Sequence, residues 1–354
     1  MTSAGRKRPR SDSATDACSE LSDEPEPHTD NTEPAEQPLT RDDEFWIEDG
    51  NIVLGVEDIA FRVHKSTLSR NSGVFCDMLA VPQPKDAETC EGVPIVHLSD
   101  RADDVREVLR ALYECHTYLG TGRLPFLKAA ALIRLGHKYH MERIRDAALD
   151  RLKTCFPAQL LQWEAIIENS GSNEMEFDAD PTYGIVVVNL ARLTDTPSLL
   201  PIGLYLCCLL DMDDLVDGCH YEDGSFDQLD SEDLKRCVAG KSHLMYLRGL
   251  SIYRVFRNSV SSNCFNKQTC SATLETLLPK ARKAYAAING TAVLEPASNG
   301  AIMTLSAADV LISLMIHVNG TPGRICIHCH EMLEQRDRGR RNVVWKELPK
   351  LMQL

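Results

Sequence analysis

Between Asn51 and Leu79 the spacing of apolar residues changes from every second position to every third or fourth, and nothing else in the chain constrains the fold as tightly. Asn51-Ile52-Val53-Leu54 is a β-rich run, Gly55 to Asp58 offers a turn, and Ile59, Phe61 and Val63 alternate with Ala60, Arg62 and His64. This pattern predicts a hairpin with one apolar face. Thr67 to Leu79 then places Leu68, Val74, Phe75, Met78 and Leu79 near helical spacing, with Ser72-Gly73 separating two short helices. Phe61 and Val63 share a strand face that Leu68, Phe75 and Met78 can cover. Ser72 is positioned to cap the second helix, and His64 closes the second strand, where its two ring nitrogens can bridge backbone groups.

The same reading continues downstream. Residues 82 to 92 form a loop. Val93 to Leu98 is a short β-branched strand that Pro94 places at an edge. A helix with Val105, Val108, Leu109 and Leu112 on its apolar side follows Ser99-Asp100. After a turn at Gly120 to Arg123, Pro125 can open a helix carrying Leu127, Ala130, Ala131, Ile133, Leu135 and Tyr139, and Ile144, Ala147, Ala148 and Leu152 mark another. Beyond Phe156-Pro157 no strand is expected. Helices are predicted over Gln159 to Glu168, Tyr183 to Leu193, Ser198 to Leu210, Lys241 to Val260, Ala272 to Ala287 and Ala307 to His317, and Trp345 is expected to dock a last helix that Pro349 stops. The fold class is therefore α+β: a disordered tail over 1–40, a small mixed sheet covered by helices over 41–156, and a mostly helical region over 157–354.

The tail is Ser-, Asp-, Glu- and Pro-rich with Leu21 and Leu39 as its only large apolar residues, too few to offset the entropy of ordering. Its basic cluster Arg6-Lys7-Arg8-Pro9-Arg10 has the composition of a nuclear import signal or of a solvated terminus. A net charge of −14 works against direct nucleic-acid binding, which draws on Lys and Arg to displace counterions. No apolar run is long enough for a membrane span, because Pro201, Gly203 and Asp211 interrupt the best candidate near Leu199 to Leu210. No signal peptide is read, and the 13 cysteines are an odd number, so free thiols in a reducing intracellular setting, nucleus or cytoplasm, are expected.

The run Phe61-Arg62-Val63-His64-Lys65 followed by Leu68, Ser72, Phe75 and Met78 resembles the signature of the BTB/POZ domain, and the order of elements is similar to that family's. Phe45 to Leu54 looks like the opening of the version found in basidiomycete fungi. The resemblance implies a non-catalytic partner-holding module, one that forms homodimers or pairs with a related domain, or that serves as substrate adaptor of a cullin-type ubiquitin ligase. Two departures stand against the family's common mechanisms. Swapped dimers use a helix ahead of the first strand, whereas Arg41 to Glu44 follows only the tail. Cullin-binding members carry a large apolar residue two positions before a Glu, whereas Asp86 precedes Glu88 and Thr89 precedes Glu91.

Cys326-Ile327-His328-Cys329-His330 matches a haem-attachment pattern, but its expected helical setting and the absence of a leader argue against that chemistry. Two readings stay open for the same residues. Cys326 and Cys329 can join Cys264 and Cys270 around a structural zinc ion, since soft thiolates suit zinc, or all four can be packed or surface thiols. No Gly-rich phosphate loop, His-Glu-x-x-His or Gly-x-Ser-x-Gly occurs, so no catalytic residue and no further cofactor is expected. Trp163 and Cys207-Cys208 read as core, and Asp211 to Asp217 as a solvated loop.

Overall fold

The computed structural model describes residues 39–82, 88–114, 122–168, 175–176, 180–291 and 325–354, with backbone alone at 167–168 and 283–291. The basic cluster at Arg6 to Arg10, nearly all of the tail, the loop around Asp86 and the helix expected at Ala307 to His317 lie outside the described residues.

Five strands form one sheet in the order β1-β3-β2-β5-β4, with β1 at Thr40–Trp46, β2 at Ile52–Val56, β3 at Ile59–Val63, β4 at Thr89–Cys90 and β5 at Val93–Leu98. The β2–β3 hairpin is antiparallel with Leu54 opposite Phe61, and its turn is made at Glu57, whose φ is 53°. The turn is tighter than expected, because Gly55 and Val56 stay in the ladder. β1 pairs in parallel with β3 from Thr40 opposite Ile59, so the chain enters the sheet just before the expected boundary at 41. β5 does not lie at the edge. Pro94 precedes its ladder with β2, which starts at Val53 opposite Ile95, and pairs only with Thr89 of β4, in the stretch expected to be loop.

The sheet is also apolar on both faces, not one. Ile52, Leu54, Val56, Phe61 and Val63 join the main core, while Val53, Ala60 and Ile95 bury a thinner layer with Leu39, Trp46, Cys90 and Val93 packed against it. Two short helices, α1 at Lys65–Asn71 and α2 at Gly73–Ala80, follow the hairpin, and α3 at Ala102–Tyr113, α4 at Phe126–Lys138 and α5 at Glu142–Thr154 complete this layer.

The remainder is helical: α6 at Leu160–Glu168, α7 at Tyr183–Leu193, a 3-10 turn at Pro197–Leu199 running into α8 at Leu200–Cys207, α9 at Met212–Asp217, α10 at Ser231–Val255, α11 at Lys267–Thr291 and α12 at Ile327–Leu351. Two pairs of two-residue strands, unforeseen from the pattern, lie among them: β6 at Leu124–Pro125 with β7 at Met175–Glu176, and β8 at Cys219–His220 with β9 at Phe226–Asp227. The acidic stretch expected as solvated loop is α9, because Asp211 caps it by accepting from the Asp214 N–H and Leu215 is buried. α10 begins ahead of the expected Lys241 because Asp230 accepts from the N–H groups of Glu232 and Asp233. Pro349 lies inside α12 and does not end it.

One hydrophobic core runs through these elements. It extends from Phe45 and Phe61 through Phe126 and Tyr183, whose ring centroids are 4.8 Å apart, to Trp163, Trp345 and Met352. Packing is therefore continuous across the expected boundary at 156. A second, smaller core joins Ile252, Val255 and Phe256 of α10 and the residue after it to Leu274, Leu277 and Ala281 of α11 and Leu333 of α12. Among the described residues, no helix is long and apolar enough to cross a membrane.

Candidate functional site

Cys264 lies just before α11, Cys270 in its first turn, Cys326 at the N-cap of α12 and Cys329 in that helix's first turn. The fold brings these four together. Their Sγ atoms all lie within 4.8 Å of one another, and among the described residues they are the one group of three or more Cys, His, Asp or Glu side chains placed to hold a metal ion. Cys270 and Cys329 are buried, and Cys264 and Cys326 are half-buried. The Cys326 N–H donates to Cys270 Sγ at 3.3 Å, the Ser261 N–H to Cys329 Sγ at 3.4 Å, and Cys264 and Cys326 Sγ are 3.7 Å apart. Burial pushes the thiols of Cys264, Cys270 and Cys329 up. Burial acts on Cys326 as well, but backbone N–H groups of Cys329 and Phe265 and the neighbouring thiols bring it down to about 6. The helical placement of Cys326 to His330 removes the strand-to-helix turn that a redox Cys-x-x-Cys uses.

In the N-terminal layer, Phe61 is fully buried and Leu68 and Phe75 nearly so, while Met78 is packed at the margin of the same core. Phe75 stacks on Tyr139 with centroids 4.8 Å apart. Ser72 Oγ accepts from the Phe75 N–H at 3.0 Å and donates to the Tyr139 carbonyl at 2.5 Å. His64 bridges side chains, not the backbone groups expected of it. Its Nδ1 is 3.0 Å from Tyr113 Oη and its Nε2 is 3.2 Å from the Asp49 carboxylate, because the β3–α1 corner faces the end of α3. Tyr113 Oη also receives the His64 backbone N–H at 3.0 Å. The hydroxyl of Tyr113 and the carbonyl of Tyr139 are the contributors that sequence reasoning missed; each lies on an element predicted correctly, but its long-range partner leaves no local signal.

Residues 48–155 match the BTB/POZ domain family. A comparison with curated proteins finds no match to the chain. The BTB/POZ domain is a protein–protein interaction module, not a catalytic one, and here the matched residues hold β2 to β5 and α1 to α5.

The helical region covers one side of this BTB/POZ domain with a charged lock. Arg134 of α4 reaches Asp104 of α3 at 2.8 Å and Asp227 of β9 at 2.9 Å, and Tyr221 Oη donates to Asp227 at 2.5 Å. Arg101 pairs with Asp223 and stacks over the Tyr221 ring at 4.3 Å. The 219–227 hairpin thus occupies the α3–α4 side. On the opposite edge, β1 is held to α3 by Asp42, which accepts from Arg106 at 2.9 Å, and by Glu44, whose hydrogen bonds from Arg110 hold its carboxyl below the usual range against the opposing effect of burial. Trp46 lies under the Arg41 guanidinium at 4.8 Å from its ring centroid, on the thin apolar face.

Proposed function

We propose that this chain is a non-catalytic scaffold that holds partner proteins through its BTB/POZ domain, by pairing with a second copy or with a related domain. The observation that carries the reading is the family match over 48–155, together with a core that contains the apolar signature residues Phe61, Val63, Leu68 and Phe75. Because the α3–α4 side is taken up by the chain's own hairpin, association is directed to the remaining sheet and α1–α2 surfaces. The resemblance of Phe45 to Leu54 to the basidiomycete type belongs to the same reading, as does an import role for Arg6, Lys7, Arg8 and Arg10 that would place the scaffold in the nucleus.

A cullin contact is the weaker reading. Glu88, one of the two glutamates of the relevant loop, hydrogen-bonds His97 at 2.9 Å, and Glu91 is paired with Arg41. Both are engaged within the domain.

Sedimentation equilibrium of the full chain tests the homotypic reading. The expected result is a mass that rises toward twice that of the chain across the micromolar range. A monomer throughout that range excludes self-association and leaves pairing with a related domain, which crosslinking in cells detects.

A further inference from the structure

We propose that Cys264, Cys270, Cys326 and Cys329 bind one structural zinc ion, which fastens the start of α12 to the segment between α10 and α11. The inference is independent of the association reading, since none of these residues lies in the BTB/POZ domain.

The geometry comes first. A tetrahedral thiolate shell with Zn–S bonds of about 2.3 Å has S···S edges of about 3.8 Å. Cys264 and Cys326 already stand 3.7 Å apart, and no pair exceeds 4.8 Å. Small contractions of the longer edges complete the shell, whereas a polynuclear iron–sulfur core would force the sulfurs further apart.

The hydrogen bonding of the two buried sulfurs suits thiolates: Cys270 Sγ receives the Cys326 N–H at 3.3 Å and Cys329 Sγ the Ser261 N–H at 3.4 Å. In the main core, by contrast, Cys208 directs its S–H at the Cys237 carbonyl at 3.4 Å and Cys155 at the Arg151 carbonyl at 3.8 Å. Cys270 and Cys329 thus accept from the backbone, and four thiolates this close repel one another unless a cation sits among them. Two helix amino termini also converge here, those of α11 and α12, and both favour the negative charge of a metal–thiolate centre.

The surrounding packing shows what the ion would add. The second core is small and the segments carrying the two cysteine pairs are far apart in the chain. Arg336 of α12 binds the carbonyls of Val255, Arg257 and Ser259 at 3.2, 3.3 and 2.9 Å, which pre-positions the segment bearing Ser261 and Cys264. The His328 ring packs, tilted by 56°, against the otherwise exposed Phe265 ring with centroids 4.6 Å apart. A metal crosslink at this end and the Trp345 contact at the other would hold α12 at both ends.

Metal analysis of the full chain, purified under reducing conditions without a metal-affinity tag, should find about one zinc per chain, the stoichiometry of a closed four-thiolate site. Cys264→Ser and Cys326→Ser should each lose most of that zinc, while Cys76→Ser keeps it. Because a cysteine variant can fail to fold, the unaltered chain supplies the second measurement. Cobalt(II) added after chelation should give the visible bands of tetrahedral coordination and the near-ultraviolet charge-transfer band of thiolate ligands, and zinc should bleach both. Chelation should also speed hydrogen exchange in α11 and the first half of α12 and leave α1 to α5 unchanged. A chain that takes up neither zinc nor tetrahedral cobalt, that carries iron, or whose four cysteines are found as disulfides by intact mass overturns the proposal.

Discussion

Ser72 serves two helices with one hydroxyl, accepting from Phe75 at the start of α2 and donating to the Tyr139 carbonyl at the end of α4. Removing it leaves a buried N–H and a buried C=O each short of a partner. Ser72→Ala is therefore expected to cost about 1–3 kcal/mol, read as a lowered midpoint in urea unfolding of the full chain. A change below about 0.5 kcal/mol, the level of an ordinary surface substitution, would show that the two contacts are not made together. The capping half of this role is legible locally, because a Ser before a helical apolar run satisfies an amide within its own turn. The Tyr139 half is not, since that carbonyl becomes a neighbour only after α4 packs. His64 repeats the lesson: its position at the end of β3 is readable, but its partners Tyr113 and Asp49 are brought to it by tertiary packing.

Elements with strong internal periodicity, such as α3 to α8, form where their apolar spacing places them. Those missed were decided by caps or by neighbours. α9 exists because Asp211 caps it and Leu215 finds the core, in a stretch whose charge suggests a loop. β1 carries Thr-Arg-Asp-Asp-Glu ahead of Phe45-Trp46, and it is a strand because β3 offers a ladder and Arg106 and Arg110 neutralise its carboxylates. α12 passes Pro349 because the proline falls in its last turn, where little of the helix remains to be broken, and Trp345 and Leu348 are already buried. The α4–α5 pair depends on close approach at one position. A Cβ at Gly136 would stand 2.9 Å from Arg145 Cβ and 3.1 Å from its backbone nitrogen. Gly136→Val is expected to destabilise the chain by roughly 1–3 kcal/mol through overpacking, measured by thermal unfolding, and a neutral result would mean that the two helices separate freely.

At the scale of the molecule, the main core does not stop where the BTB/POZ domain does. Phe126 of α4 packs on Tyr183 of α7, and the 219–227 hairpin is locked by Arg101 and Arg134. A fragment ending at 156 would expose Phe126 and leave Arg134 without Asp227 and Arg101 without Asp223. That fragment is expected to bind a hydrophobic dye and to lose its sharp thermal transition, while the full chain does neither. If the fragment melts as cooperatively and at the same temperature as the full chain, the shared core contributes nothing to the domain. The sequence alone determined the hairpin, the two short helices and the family resemblance, because those depend on side-chain period and on residues adjacent in the chain. It also named the four cysteines, whose pairing at short spacing is visible, without deciding between a metal site and separate thiols. Tertiary structure alone decided that the sulfurs converge, that the sheet buries both faces and that the main core runs on from the BTB/POZ domain into the helical region, because each is a contact between segments far apart in sequence, formed only once the helices have packed.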